Sequence, residues 1–309
     1  MRIGISVCSS YRVEDPREGA RFMVERAAAA RQADLDSLFV GDHHVTASPY
    51  FQNTAIIARM LAEWGDKPCG ALYLLPLWNP VLLAEQTATL AAIAQGPFIM
   101  QCGLGGEKRQ SAGMGVDIHE RAKMFEVSLE TLRSLWAGEE VTETKYWNVS
   151  RARISPLPPE PIDVWVGSAV PKAIDRTARM GDGWLASPGL TYKQASDSLN
   201  RYRQACAEHQ REPSAVAIRR DVFIGSSSED AHKVVEPYIQ KGYRGFAEEA
   251  LMYGSVGQVA EELVTFAKLG YTDVIVRNLS SDQGEALATI ERLAEVKAEV
   301  QKEVAISGE

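Results

Sequence analysis

The feature that most constrains this chain is an alternation. Eight short apolar runs, at 2–7, 36–40, 69–75, 98–103, 163–167, 183–186, 215–224 and 273–277, are separated by longer stretches with helical periodicity. Apolar strands with helices between them read as a parallel sheet covered on both faces. Eight is the number that closes a parallel ring, and 309 residues exceed the roughly 250 that such a ring requires. The expected class is α/β, a (β/α)8 TIM barrel with insertions, in one domain over 1–309.

The helical stretches carry single apolar stripes. In 120–137, Phe125, Leu129, Leu132 and Trp136 recur at three- and four-residue steps, and Gly138 stops the pattern. In 256–268, Val259, Leu263 and Phe266 do the same, with Ser255 placed to cap the start and Gly270 the end. Leu287, Ile290, Leu293 and Val300 mark a third helix over 283–302, and the alanine-rich 20–33 reads as a closely packed fourth. Two segments break the alternation. The glycine-rich, polar 104–119 reads as a long active-site loop, and 139–161 as a small hairpin followed by the proline-stiffened Pro156–Pro161.

Composition narrows the function classes. A formal charge of −8 without a basic run speaks against nucleic acid. Cys8, Cys69, Cys102 and Cys206 are scattered, with no CxxC pair, and so read as reduced thiols. The apolar stretch from Gly70 to Trp78 is too short to cross a bilayer, and the first residues form a strand rather than a leader. A soluble cytoplasmic protein with no membrane partner is the expectation.

Four places carry residues suited to chemistry. Leu38-Phe39-Val40-Gly41-Asp42-His43-His44 breaks an apolar run at a glycine and delivers an acid and two imidazoles, which is how a barrel strand hands groups to its loop. Adjacent histidines diverge, so at most one faces a site. A metal site would need further acidic ligands in motifs the chain lacks, and none is expected. Met100-Gln101-Cys102-Gly103-Leu104-Gly105-Gly106-Glu107 lets backbone approach a flat or phosphorylated ligand, though it lacks the GxGxxG spacing of a dinucleotide site. Gly167-Ser168 stands between a strand and a helix that Pro171 begins, and free helical amides suit phosphate. Arg219-Arg220-Asp221 and Arg277-Asn278 put charge into strands, where it must be paired or reach a pocket.

Taken together, these segments resemble the bacterial luciferase-like superfamily of flavin- or deazaflavin-dependent oxidoreductases. The resemblance runs through Ala28–His44, Leu75-Pro76-Leu77-Trp78-Asn79-Pro80 and on to Leu90, Arg121–Trp136, Val164–Gly167, Met180–Leu185 and Tyr253–Val259. It implies a flavin at the C-terminal mouth of the barrel. His43 would give or take a proton near the reactive edge of the ring, with Asp42 tuning or orienting it. Leu74 and Leu75 would lie beneath the ring, and Gly103 and Glu107 in the loop above it. Gly167 and Ser168 would hold the phosphate, completed by Gly181, Asp182 and Gly183.

The leading expectation is a monooxygenase using reduced FMN, supplied by a separate flavin reductase, and O2 on a small organic substrate. Tyr50, Phe51, Leu77 and Trp78 would line the substrate pocket. The alternatives are an F420-dependent hydride-transfer enzyme and a non-catalytic flavin-binding barrel. F420 carries an acidic tail, so a cationic patch at the mouth favours it. Leu104 stands where luciferases place an arginine for the flavin phosphate. By analogy with relatives, a homodimer would pair through 27–33 or 53–63.

Overall fold

The computed structural model describes residues 1–307, so the last two positions of the 1–309 span lie outside the described residues. Along the chain run strands β1 (Arg2–Val7), β2 (Leu38–Val40), β3 (Cys69–Leu74), β4 (Phe98–Gly103), β5 (Val141–Glu143), β6 (Val149–Ala152), β7 (Asp163–Ser168), β8 (Gly183–Ala186), β9 (Ala215–Ile224), β10 (Leu251–Gly254) and β11 (Asp273–Asn278). The helices are α1 (Pro16–Gln32), α2 (Asn53–Trp64), α3 (Pro80–Ile93), α4 (Lys108–Gly113), α5 (Arg121–Trp136), α6 (Pro171–Met180), α7 (Tyr192–Glu208), α8 (Ser228–Gln240), α9 (Val256–Leu269) and α10 (Gln283–Ser307).

Eight strands close a parallel ring in the order β1-β2-β3-β4-β7-β8-β9-β11 and back to β1. The fold is a (β/α)8 TIM barrel, and its ring strands are the eight apolar runs of the sequence. β10 is the strand the sequence did not announce. It pairs along the far half of β9, Asp221–Ile224 against Leu251–Gly254, where β9 outruns its neighbour β8. The 139–161 segment does contain a hairpin, β5 with β6. The 104–119 loop holds the short helix α4. No helix among the described residues is long and apolar enough to cross a membrane.

The barrel interior is a small packed layer of Phe39, Ile99, Trp165, Ala215, Ala217 and Ile275. Closure is tight enough that Gly70 has no alternative, since a Cβ there would sit 1.8 Å from the Ile99 carbonyl oxygen. The much larger second core lies between the ring and the helices. Helix ends follow the sequence signals. Ser255 and Gln258 form a reciprocal capping box on α9, and Gly270 closes that helix at φ +102°. Asn79 caps α3 immediately before Pro80.

Two consequences position the site. Side chains two apart along a ring strand share a face, so the interior layer continues upward into Cys8, Gln101, Arg219, Asp221 and Arg277. All C-terminal strand ends share one rim, and loops that leave strands, not those that enter them, surround it.

Candidate active site

β2 ends at Val40, and the chain then runs extended through Asp42, His43 and His44. Asp42 is 3% exposed. Its Oδ2 accepts the Leu74 N–H at 2.8 Å and the Trp78 indole N–H at 2.9 Å, and its Oδ1 lies 3.1 Å from His44 Nε2. Asp42 therefore ties the end of β2 to the end of β3 and holds His44. It makes no bond to His43, so of the two expected roles it does not orient that ring, while its charge does raise the His43 pKa. Positions 42 and 44 point one way and 43 the other, as extended backbone requires.

His43 faces a cavity of about 600 Å³ at the rim. Its Nδ1 is 2.7 Å from Gln110 Nε2 on α4, and its ring meets Tyr50 edge-on at 5.4 Å. Partial burial lowers its pKa, against the opposing pull of Glu107 and Asp42. Although one side is open to the cavity, the neutral ring is the favoured form.

Below and beside His43 is a charged inner rim. Asp221 is fully buried and accepts hydrogen bonds from the Tyr243 hydroxyl and Arg244 Nη1, each at 2.9 Å, with Arg219 Nε at 3.5 Å. Arg277 Nη2 donates to Cys8 Sγ at 3.1 Å. Burial pushes the Cys8 thiol up, but the Arg277 charge and the hydrogen bonds outweigh it, and its pKa falls below the ordinary thiol value. The next side chain along β9 points out of the ring. Arg220 donates to the carbonyls of Pro188 and Leu190 and lies 4.4 Å from the Phe266 ring. The Arg219-Arg220-Asp221 run thus splits into an inner ion pair and an outer structural arginine.

The cavity is lined by four arginines, Arg12, Arg109, Arg244 and Arg277, against the single carboxylate Glu107. A larger hollow of about 830 Å³ lies outside the wall formed by β9 and β10, away from His43. Among the described residues, no group of three or more His, Cys, Asp or Glu side chains is placed to hold a metal ion.

The remaining sequence candidates divide by rim. Leu74 ends β3, and Leu75 is buried in the single 3-10 turn that follows. Gly103 ends β4, where a Cβ would meet only Leu74 Cδ2, at 3.6 Å, and Glu107 precedes α4. Gly167 and Ser168 end β7, and the Ser168 hydroxyl accepts a hydrogen bond from Thr177 at 2.9 Å. These six share the rim of Asp42 and His43. Gly181, Asp182 and Gly183 do not. They form the turn into β8, of which Gly183 is the first residue, and the Asp182 carboxylate accepts from Val164 N, Arg133 and Arg211 at the opposite end of the barrel. A turn that enters a parallel strand necessarily lies at that end. Of the four expected substrate-pocket residues only Tyr50 lines the cavity. Phe51 packs on Tyr11, Leu77 is buried, and Trp78 serves Asp42.

Arg277 was among the strand charges the sequence marked, and it carried a usable signal, since it sits two positions beyond the inward Ile275. Gln110, Tyr243 and Arg244 carried none, because loop geometry alone brings them in.

The site fits a flat, carbonyl-edged redox ring. Gln101 Nε2, Arg219 Nε and Nη2, and Arg277 Nε are buried without a hydrogen-bond partner. They lie on the inward faces of β4, β9 and β11, and donors in that state need an acceptor. Leu74 packs against the backbone of Gly103 and Gly105, neither of which carries a side chain.

A family model described as luciferase-like monooxygenase matches residues 1–301. The chain is 23% identical over 308 residues to an F420-dependent glucose-6-phosphate dehydrogenase of Intrasporangium calvum, covering 87% of this chain and 92% of that protein. It is 28% identical over 171 residues to the phthiodiolone/phenolphthiodiolone dimycocerosates ketoreductase of Mycobacterium tuberculosis, covering 53% and 44%. Two solved structures share the fold, each at 17% identity over 97% of this chain and 98% of theirs. One is the FMN-bound oxygenating constituent of 3,6-diketocamphane monooxygenase from Pseudomonas putida, with a TM-score of 0.83. The other is an F420-dependent secondary alcohol dehydrogenase holding an F420-acetone adduct, with a TM-score of 0.80.

Proposed function

The chain belongs to the luciferase-like monooxygenase family, whose members are oxidoreductases and monooxygenases, and on that footing we propose that it is an enzyme using F420 to interconvert a small alcohol and its carbonyl compound. The observation that carries this reading is the charge of the mouth, four arginines against the lining carboxylate Glu107 and the buried Asp221 that pairs with Arg244, in a chain whose net charge is −8. An acidic cofactor tail is drawn to such a patch, and a local excess of that kind is not a by-product of composition. The sequence ranked reduced FMN first, and the rim charge reverses that order. The relatives named for F420 support the same choice.

When bound, F420 supplies hydride exchange at its ring. The chain's own residues do the rest. His43 leaves Nε2 to the cavity, within the same lining as Tyr50, and there it holds a proton against a substrate oxygen. Gln101, Arg219 and Arg277 offer donors to ring carbonyls, and Leu74 with the glycines of 103 and 105 gives the apolar face. Asp42 fixes the strand ends on which that face rests.

Reduced FMN acting with O2 is the second reading. The Ser168 hydroxyl and the N-terminus of α6, which no side chain caps, favour it because they suit one compact phosphate. The deciding experiment is parallel fluorescence titration with FMN, reduced FMN and F420 at low and high salt, followed by turnover. Expected is F420 binding at least about tenfold tighter, weakened by salt as screening predicts. Tighter binding of reduced FMN, with O2 uptake, would replace this reading by the second. Binding without turnover under any condition would leave a non-catalytic barrel.

A further inference from the structure

We propose that Gln110 is a positioning residue that sets the tautomer of His43, donating its amide N–H to Nδ1 so that the neutral ring carries its proton on Nε2, toward the cavity. The meaning of this for catalysis rests on the reading of His43 given above; the tautomer itself does not.

The contact is 2.7 Å long and links a buried amide to a ring at the cavity edge. Gln110 is 2% exposed and sits on helix α4, where its backbone carbonyl accepts the Met114 N–H. An amide NH2 has only donors, so the Nδ1 facing it must keep its lone pair. A neutral imidazole then has one place left for its proton. Among the described residues no hydrogen bond to His43 Nε2 is formed, and the cavity is what remains for it.

The same contact opposes protonation of the ring. An imidazolium would set Nδ1–H against the amide N–H, donor to donor. Proton uptake therefore requires Gln110 to turn its amide over and offer Oε1. The groups facing His43 pull in both directions. Glu107 from the start of α4 and Asp42 from its own loop favour the cation, while partial burial, Arg277 on β11 and Arg244 oppose it. Tyr50, across the ring edge, is held protonated by burial, its pKa pushed up to about 12. Gln110 adds to the side of the neutral ring. It makes His43 a hydrogen-bond donor to a substrate oxygen rather than a poised base, and so suits the site to polarising a carbonyl.

The test is a long-range proton–nitrogen correlation spectrum of the full chain labelled with 15N-histidine, without cofactor. The His43 signals are assigned by their loss in His43→Asn. Expected at pH 8 is an unprotonated Nδ1 and a protonated Nε2. Gln110→Glu supplies an acceptor in place of the donor, so the two assignments exchange and the His43 pKa rises by about one unit or more. A wild-type spectrum with the proton on Nδ1, or a mixture that Gln110→Glu leaves unchanged, overturns the proposal, and the wild-type measurement stands even if the variant fails to fold. With F420 and an accepted substrate, Gln110→Glu lowers kcat with KM nearly constant and moves the acid limb of the pH profile upward. The expected tautomer without F420 turnover would leave this inference standing and remove only the proposed reaction.

Discussion

Replacing Asp42 separates two roles that the sequence could not distinguish. If Asp42 orients His43, its loss is mainly a catalytic lesion. If it ties β2 to β3, its loss is mainly a structural one. The geometry favours the second, because Oδ2 takes the Leu74 and Trp78 donors at 2.8 and 2.9 Å. Hydrogen bonds to a buried charge are worth about 1.5–3 kcal/mol each, so Asp42→Ala should cost about 4 kcal/mol. A chain of this length unfolds with an entropy of roughly 0.65 kcal/mol per kelvin, which makes the expected fall in Tm about 6 °C. Asp42→Asn keeps a carbonyl oxygen for the two donors but loses the charge, and about half that effect is expected. Because the Asp42 charge raises the His43 pKa, the same variant should shift the acid limb of activity slightly downward without abolishing turnover. Thermal unfolding by circular dichroism reads the first effect and a pH–rate profile the second. Asp42→Asn with an unchanged Tm and no activity would refute the argument, and so would Asp42→Ala within about 1 °C of the wild type.

Three further outcomes follow from other contacts. Iodoacetamide should label Cys8 at neutral pH well ahead of Cys69, whose thiol burial pushes up to about 12, and of Cys102 and Cys206, which burial also raises. Arg277→Gln should return Cys8 to ordinary thiol behaviour, and equal labelling of all four by mass spectrometry would show the pairing to be inert. Gly70→Ala should fail to give folded protein, since the new methyl would meet the Ile99 carbonyl oxygen at 1.8 Å. A normal near-ultraviolet spectrum and Tm for that variant would mean the ring is not closed as described. Hydrogen bonds from Lys67 and then Lys297 hold Asp34 down at about 2, from an ordinary 3.8. Its stabilisation is therefore present above pH 3.8 and fades as the pH falls toward 2. Urea midpoints of wild type and Asp34→Asn should differ at pH 7 and converge near pH 2, and a constant difference would exclude this linkage.

The ring was legible because its signal is repeated and local. Eight apolar runs with helical spacers leave few topologies, and each run became a ring strand. β10 escaped notice because Leu251–Gly254 is short and pairs only with the overhang of β9. The site was legible in part for the same reason. A residue at the end of a strand can be assigned to a rim, and His43, Leu74, Gly103 and Gly167 do lie at the rim where the resemblance and the strand ends put them. Gly181, Asp182 and Gly183 were placed on the wrong rim, although their position at the start of a strand already decided it. The chain alone could not show which neighbour Asp42 holds. That depends on Trp78 arriving from a 3-10 turn 36 residues later.

The inner rim concentrates buried guanidinium groups. Arg219 and Arg244 approach Asp221 and Arg277 the Cys8 sulfur, and three of the Arg219 and Arg277 donors have no partner. Uncompensated charge in a partly buried layer is costly, and apolar residues there would serve stability better. The backbone around the mouth is strained as well. Val45 in the loop beyond His43 has φ +52°, and Arg244 has φ +53°. A β-branched residue in the left-handed region is rare enough to need support from its surroundings. Unpaired guanidinium donors and excess positive charge gather at one end of the barrel. Stability does not account for that concentration, whereas a ligand with acceptor atoms and negative charge would neutralise the charge and pair the donors at once. His43, held by Gln110 and free at Nε2, stands at the edge of the place such a ligand would fill.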